Sequence, residues 1–201
     1  MSKVLANINI AVIGDAVAEI LARRLAQAGH TLFVGMSGND TQFFIGRKAK
    51  NVTFMSIAEA AANADIVIIA TTAGEVREAA YHLGDVRRKV VIDYSNFVTG
   101  DMHHTAAAIT AITHCLHVAK CFAPTGYEDM IIPHINEAGI DMFVAGSSKK
   151  AKAVVNMLAA DMGYNNHYDL GGNGAVKMLD EMANYTYQKG NAIPEVVYVK
   201  K

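Results

Sequence analysis

Residues 8–35 read INIAVIGDAVAEILARRLAQAGHTLFVG, and the order of features in that stretch leaves few folds open. An apolar, β-branched run stops at Gly14. Val17, Ile20, Leu21, Leu25 and Ala28 then recur at helical spacing until Gly29, where a second apolar run begins. A strand that feeds a helix and returns as a strand is a βαβ unit, whose two strands lie parallel in one sheet. Parallel sheets carry helices on both faces, so their strands read as continuous apolar runs. IAVIG and, further on, IVIIA have that character.

The alternation continues along most of the chain. Strands are predicted at 8–14, 31–36, 51–55, 65–71, 89–95, 116–122 and 141–146, and helices at 16–29, 56–63, 74–84, 102–113, 148–162 and 173–189. Ser56 precedes the second helix with Glu59 three residues on, the spacing of a capping box. The fold class implied is α/β: a Rossmann-type, doubly wound, mostly parallel sheet with a C-terminal helical portion. Strands 8–14, 31–36, 65–71 and 89–95 are expected as parallel neighbours around the first. Only three of the 201 residues are proline and no Ser- or Gly-rich linker appears. One domain is therefore expected over 1–201, with a nucleotide-binding core at 1–146 and a C-terminal portion at 147–201. The segment 123–140, APTGYEDMIIPHINEAGI, reads as a long irregular connection of the kind that carries substrate loops, and NAIPEVVYVKK as an edge strand or arm.

Composition narrows the partners. Hydrophobic residues make up 52% of the chain and charged residues 18%, enough for a substantial core, and the formal net charge is −1. Neither nucleic acid nor an anionic membrane is an expected partner at that balance. No apolar run approaches the ~18 residues of a membrane span, and MSKVLANINIAVIG leads straight into a strand, so a cytoplasmic protein is expected. Two cysteines, Cys115 and Cys121, fit a reducing compartment.

Sheets of this kind take ligands at the C-terminal ends of their strands, and a dinucleotide's pyrophosphate rests on the turn between the first strand and its helix. Two devices hold it there: backbone N–H groups at the helix start, and glycines that let the phosphate come close. Gly14, Asp15, Ala16, Val17 and Ala18 are the candidate binding residues on this turn. The first device is intact, and the second is reduced. GDAVAE offers one glycine, Ala18 stands at a glycine position, and the Asp15 carboxylate would face a phosphate. After the second strand the chain reads FVGMSGND, with neither an acidic residue for a ribose nor an arginine for a 2′-phosphate at the strand end. Ser37 is a possible phosphate donor, Arg47, Lys48 and Lys50 follow, and Asp40 lies several residues too far on. NADP(H) is the cofactor expected, with NAD(H) left open.

Beyond the first unit the segment order becomes more specific. ADIVIIATTAGEVREA, RKVVIDYSN, HVAKCFAPTG, DMFVAGSSKKAKAVVNMLAADMGYNNHYDLG and KMLDEMANYTYQ follow one another, and from Ile8 to about Gln188 the chain resembles the coenzyme F420 (deazaflavin)-dependent NADP oxidoreductase family. The resemblance implies a parallel sheet, NADP(H) at the strand ends, hydride exchange with a flavin-like or deazaflavin acceptor, and a homodimer formed through the C-terminal portion. The family's glycine-rich turn falls on Gly14, Asp15, Ala16, Val17 and Ala18, one residue short. Its Ser-Arg pair falls on Met36 and Ser37, without the arginine. Its nicotinamide-side loop falls on Thr71, Thr72 and Ala73, without the usual proline. Its I-D-x-x-N-P segment falls on Ile92, Asp93, Tyr94, Ser95 and Asn96, with Phe97 for the proline, and Asn96 is retained as a cofactor-binding candidate. Its K-A-F-N segment falls on Lys120, Cys121, Phe122 and Ala123, without the asparagine.

Other candidates are weaker. MHHTAAAITAITHCLHVAKC gathers histidines and cysteines without a recognised metal-ligand spacing, and no elbow or paired base accompanies either cysteine. Tyr127 could meet a ring or simply pack in its loop. Val176, Leu179, Met182 and Ala183 make an apolar stripe on the last helix, enlarged by Tyr185 and Tyr187, on which a dimer contact is expected. No catalytic side chain is required, because cofactor and acceptor carry the hydride chemistry between them. Two readings stand at this point. One is an NADP(H)-dependent oxidoreductase acting on a small-molecule redox substrate. The other is a degenerate Rossmann protein serving as a nucleotide-responsive or structural subunit without turnover.

Overall fold

The computed structural model of the chain describes residues 7–36, 50–95, 104–123, 141–164 and 166–188. These form one eight-stranded sheet in the order β3-β2-β1-β4-β5-β6-β7-β8. The strands are β1 (Asn9–Ile13), β2 (Thr31–Met36), β3 (Val52–Ser56), β4 (Ile66–Ile69), β5 (Val90–Asp93), β6 (Val118–Phe122), β7 (Asp141–Ala145) and β8 (Asn166–Asp169). Between them run α1 (Ala16–Gln27), α2 (Ile57–Asn63), α3 (Val76–His82), α4 (Thr105–Thr113), α5 (Lys149–Asp161) and α6 (Val176–Gln188). From β3 to β6 every neighbouring pair is parallel, β6 and β7 are antiparallel, and β7 and β8 are parallel again. The expected doubly wound, mostly parallel sheet is the one found, with β2, β1, β4 and β5 as parallel neighbours.

The continuous apolar strands divide their side chains between two cores. Ile10, Val12, Ile66, Ile68, Val90 and Ile92 face one layer, with Leu21 and Leu25 of α1 and Val155 and Leu158 of α5. Ala11, Ile13, Val67, Ile69 and Val91 face the other, against α2, α3, α4 and α6. Burying one such aliphatic side chain is worth about 1.5–3 kcal/mol, so a strand apolar on both faces contributes to both layers at once. At the back of the first layer, His30 Nε2 meets Asp161 Oδ2 at 3.1 Å and Arg24 Nη2 donates to the Met162 carbonyl at 2.9 Å, tying α1 to the end of α5. The capping box at α2 is present: Ser56 accepts from the Glu59 N–H, and the Glu59 carboxylate accepts from the Ser56 N–H.

Two expectations need correction. The segment after α5, read above without a strand, forms β8, parallel to β7 and stacked on it through Phe143 and Tyr168, whose ring centroids are 5.1 Å apart. The apolar stripe of α6 turns inward: Val176 and Leu179 are buried in the chain's own second layer, with Met182 half-buried against it. Met178 is the large apolar residue that this helix exposes among those whose side chains are described. The side chains of Ala183, Tyr185 and Tyr187, the connection 124–140 with Tyr127, and the stretch from 189 on lie outside the described residues. No helix among the described residues is long and apolar enough to cross a membrane.

Candidate functional site

Parallel strands end together on one rim, and there β1, β2 and β4 open into a cleft lined by Gly14, Asp15, Gly35, Met36, Thr71, Glu75 and Glu78. Two glycines set how closely the backbones approach. Gly14 has φ +142°, and a Cβ on it would stand 2.4 Å from the Ala70 carbonyl oxygen and 3.3 Å from Ala18 Cβ. Its N–H donates to the Gly35 carbonyl at 3.1 Å, which locks the turn to β2. A Cβ on Gly35 would stand 2.6 Å from Ile13 Cδ1 and 3.0 Å from Ile57 Cα. Gly35 therefore lets α2 lie against the β1–β2 pair. Sequence reasoning passed over it, although a glycine inside an apolar strand is the usual mark of a close backbone approach.

The turn itself is open toward an anion. Asp15 stands at the N-cap of α1 and is exposed, with φ −101° and ψ −127°, and its carboxylate makes no capping hydrogen bond. The first N–H groups of α1, from Ala16 on, have no intrahelical acceptor and point out of the helix start. Ala16 is exposed, Val17 is half-buried and Ala18 is buried under Gly14. These features fit a pyrophosphate held by backbone alone: a glycine at positive φ, a strand pressed beneath it, and an uncapped helix start.

The remaining sequence candidates fall into three groups. Met36, buried, and Thr71, half-buried, line the cleft. Ala73 is buried in the second core layer, and Thr72 is drawn into the start of α3, its N–H and hydroxyl both donating to Glu75 Oε2 at 3.2 and 2.7 Å. Ser37 and Asn96 lie outside the described residues, as do Asp40, Arg47 and Lys48.

The cleft also holds two carboxylates not anticipated from the sequence, Glu75 and Glu78 of the α3 start. With Asp15 they give the rim three acidic side chains, and no basic side chain lines this cleft among the described residues. They open the helix that follows β4, and the parallel pairing of β4 with β1, expected from the sequence, is what brings them to this rim.

The thiols take no part in this rim. Cys115 and Cys121 are both buried, and burial pushes both up, away from the range of a reactive thiolate. No cluster of three metal-ligating side chains occurs among the described residues.

Residues 9–97 match the model of a family described as NADP oxidoreductase, coenzyme F420-dependent. No curated protein matches the chain. Among solved structures, it is similar to a protein of Arthrobacter sp. FB24 provisionally named an F420-dependent NADP-reductase, at 21% identity and a TM-score of 0.79, over 92% of this chain and 94% of that one. It is similar also to the hypothetical protein SMa0349 of Sinorhizobium meliloti, at 20% identity and a TM-score of 0.72, over 86% and 89%. A reductive aminase of Aspergillus terreus in complex with NADPH and ethyl levulinate aligns at 14% identity and a TM-score of 0.67, over 92% of this chain and 62% of that one. At these identities the likeness is one of fold.

Proposed function

We infer that this protein, whose residues 9–97 carry the sequence pattern of the coenzyme F420-dependent NADP oxidoreductase family, is an NADP(H)-dependent oxidoreductase that exchanges hydride with a flavin-like or deazaflavin acceptor. The observation that supports this most is the Gly14 turn, where a helix start without a side-chain cap meets a backbone approach that only glycine permits. Gly14 and the N–H groups of Ala16–Ala18 would hold the pyrophosphate, and Met36 would flank the adenosine side. Thr71 would stand toward the nicotinamide. When bound, the nicotinamide supplies the hydride. The chain's own work is to orient the two rings and exclude water, so a catalytic acid or base is not needed.

A homodimer belongs to this reading, supported by the family resemblance alone. Sedimentation velocity at micromolar concentration is expected to give a dimer; a stable monomer removes that part of the proposal.

The acidic rim supports a second reading, a nucleotide-responsive or structural subunit without turnover. Magnitudes decide how the two differ. A helix start favours an anion by about 0.3–1 kcal/mol. A carboxylate ~4–6 Å from a phosphate opposes it by about 3–4 kcal/mol at an effective dielectric constant near 20, before salt screening. Because Asp15 is exposed, screening and outward rotation remove much of that repulsion. Asp15→Gly is therefore expected to tighten NADPH binding about fivefold, roughly 1 kcal/mol, measured by titration of cofactor fluorescence with NADH in parallel. If the Asp15→Gly protein binds neither nucleotide, the reading as a structural subunit replaces the first.

A further inference from the structure

Away from the acidic rim, one group of charges is wholly enclosed. Lys120 of β6, Asp93 at the end of β5 and Asp180 of α6 all have side chains with no exposure. Lys120 Nζ lies 3.2 Å from Asp93 Oδ2 and 3.2 Å from Asp180 Oδ1, and donates to Ser95 Oγ at 3.2 Å and Thr105 Oγ1 at 3.1 Å. Both hydroxyls pass the contact on to Asp93. Ser95 donates its N–H and hydroxyl to Oδ1, at 3.0 and 2.6 Å, and Thr105 donates its hydroxyl to Oδ2. Asp180 Oδ2 accepts the N–H of His104, at 3.2 Å, where the backbone is left-handed with φ +76°. Burial works against the Lys120 charge, but Asp93 and Asp180 outweigh it and hold the ammonium above the ordinary lysine value.

The position of this group matters more than its strength. Three enclosed charges are a poor way to stabilise a fold, since apolar residues of equal volume do as well or better. What the ions fix is geometry: Ser95 on one side of the β5–α4 connection and His104 and Thr105 on the other are held to one anchor. The strand order reverses at β1, between a half that runs through β2 and β3 and a half that runs through β4, β5 and β6. A dinucleotide straddling that point lays its adenosine over the first half and its redox ring over the second. On that placement the end of β5, where Tyr94 donates its N–H to the Ile69 carbonyl at 2.9 Å, would lie on the side of the redox ring.

We propose that Asp180 and Lys120 are positioning residues for the acceptor end of the site, making the C-terminal helix part of the active-site framework without touching a ligand. This rests on the oxidoreductase reading above. It assigns the redox half a different support from the pyrophosphate half, whose turn is built from β1, β2 and β4. Disturbing the anchor should therefore separate turnover from cofactor affinity.

Asp180→Asn tests this while leaving Lys120 and Asp93 as a balanced pair. NADPH affinity is read by cofactor fluorescence, and turnover by NADPH oxidation with a 5-deazaflavin as acceptor. The expected result is an NADPH Kd within about twofold of wild type and a kcat/KM for the deazaflavin lowered about tenfold or more, with Asp180→Glu recovering part of the loss. Thr105→Val, which cuts only the hydroxyl bridge, is expected to lower turnover about threefold at unchanged Kd and serves if Asp180→Asn does not fold. Turnover unchanged in both variants, or affinity and turnover falling by the same factor, overturns the proposal. A wild-type protein that neither binds NADPH nor reduces the deazaflavin refutes the oxidoreductase reading itself, and the positioning role with it.

Discussion

Lys120→Met is expected to destabilise the protein by about 3–5 kcal/mol, because it leaves two enclosed carboxylates with no counter-charge. Asp93 would keep its hydrogen bonds from Ser95 and Thr105, and Asp180 would keep the His104 N–H, but both would face the methyl end of the new side chain. Urea titration measures the loss. The double variant Lys120→Met, Asp180→Asn should be more stable than the single one, since one of the unpaired charges is gone. Asp180→Asn costing the same stability in the Lys120→Met background as in the wild type would show that Asp180 is not coupled to Lys120. The pH window follows from the direction of the Lys120 shift. Its folded-state value lies above the unfolded one, so the stability it contributes is complete below the unfolded lysine value of about 10.4 and is lost only as pH rises through the folded one. At neutral pH the wild-type network contributes in full.

Gly14→Ala should remove nucleotide binding and cost about 2–4 kcal/mol of stability. Two terms contribute, backbone strain at φ +142° and overpacking against Ala70, whose carbonyl oxygen would lie 2.4 Å from the new Cβ. Ala70 cannot yield by a rotamer change, because the clash is with backbone in the residue that follows β4. Gly84→Ala separates the terms. That glycine also has positive φ, +69°, but a Cβ there would meet no atom within 4 Å. It should cost about 1 kcal/mol and leave NADPH binding intact. Denaturant titration and NADPH titration of both variants check the pair, and a Gly14→Ala protein no less stable than Gly84→Ala would mean that the turn is not held as described.

Sequence periodicity located the layers because burial on both faces of a parallel strand leaves an unbroken apolar run. Ile10–Ile13 and Ile66–Ile69 are such runs, and each feeds two cores. β8 escaped because Asn166–Asp169 is short and polar, pairs on one side only, and has no residue buried. The glycine turn was legible as a turn, since Gly14 follows an apolar run directly. Its acidic surroundings were only partly so: Asp15 is adjacent in sequence, whereas Glu75 and Glu78 arrive through the pairing of β4 with β1. The enclosed charges did leave a trace. A lysine inside HVAKCF needs a buried counter-charge, and Asp180 falls on the same helical face as Val176 and Leu179. An ionisable residue on an apolar stripe is a demand for a partner, and the sequence contains both halves of that demand.

Because Asp180 reaches back to strands made long before it, the order of synthesis acquires meaning. β1 to β6, with Lys120 and Asp93, leave the ribosome ahead of α6. Until that helix docks, Lys120 has one carboxylate instead of two, and the Val118–Phe143 face that Val176 and Leu179 cover remains wet. The nascent chain can therefore pair β1 to β6 early, while the part of the second layer that α6 covers stays open. Its closure is timed by the synthesis of α6, not by that of the strands which α6 covers.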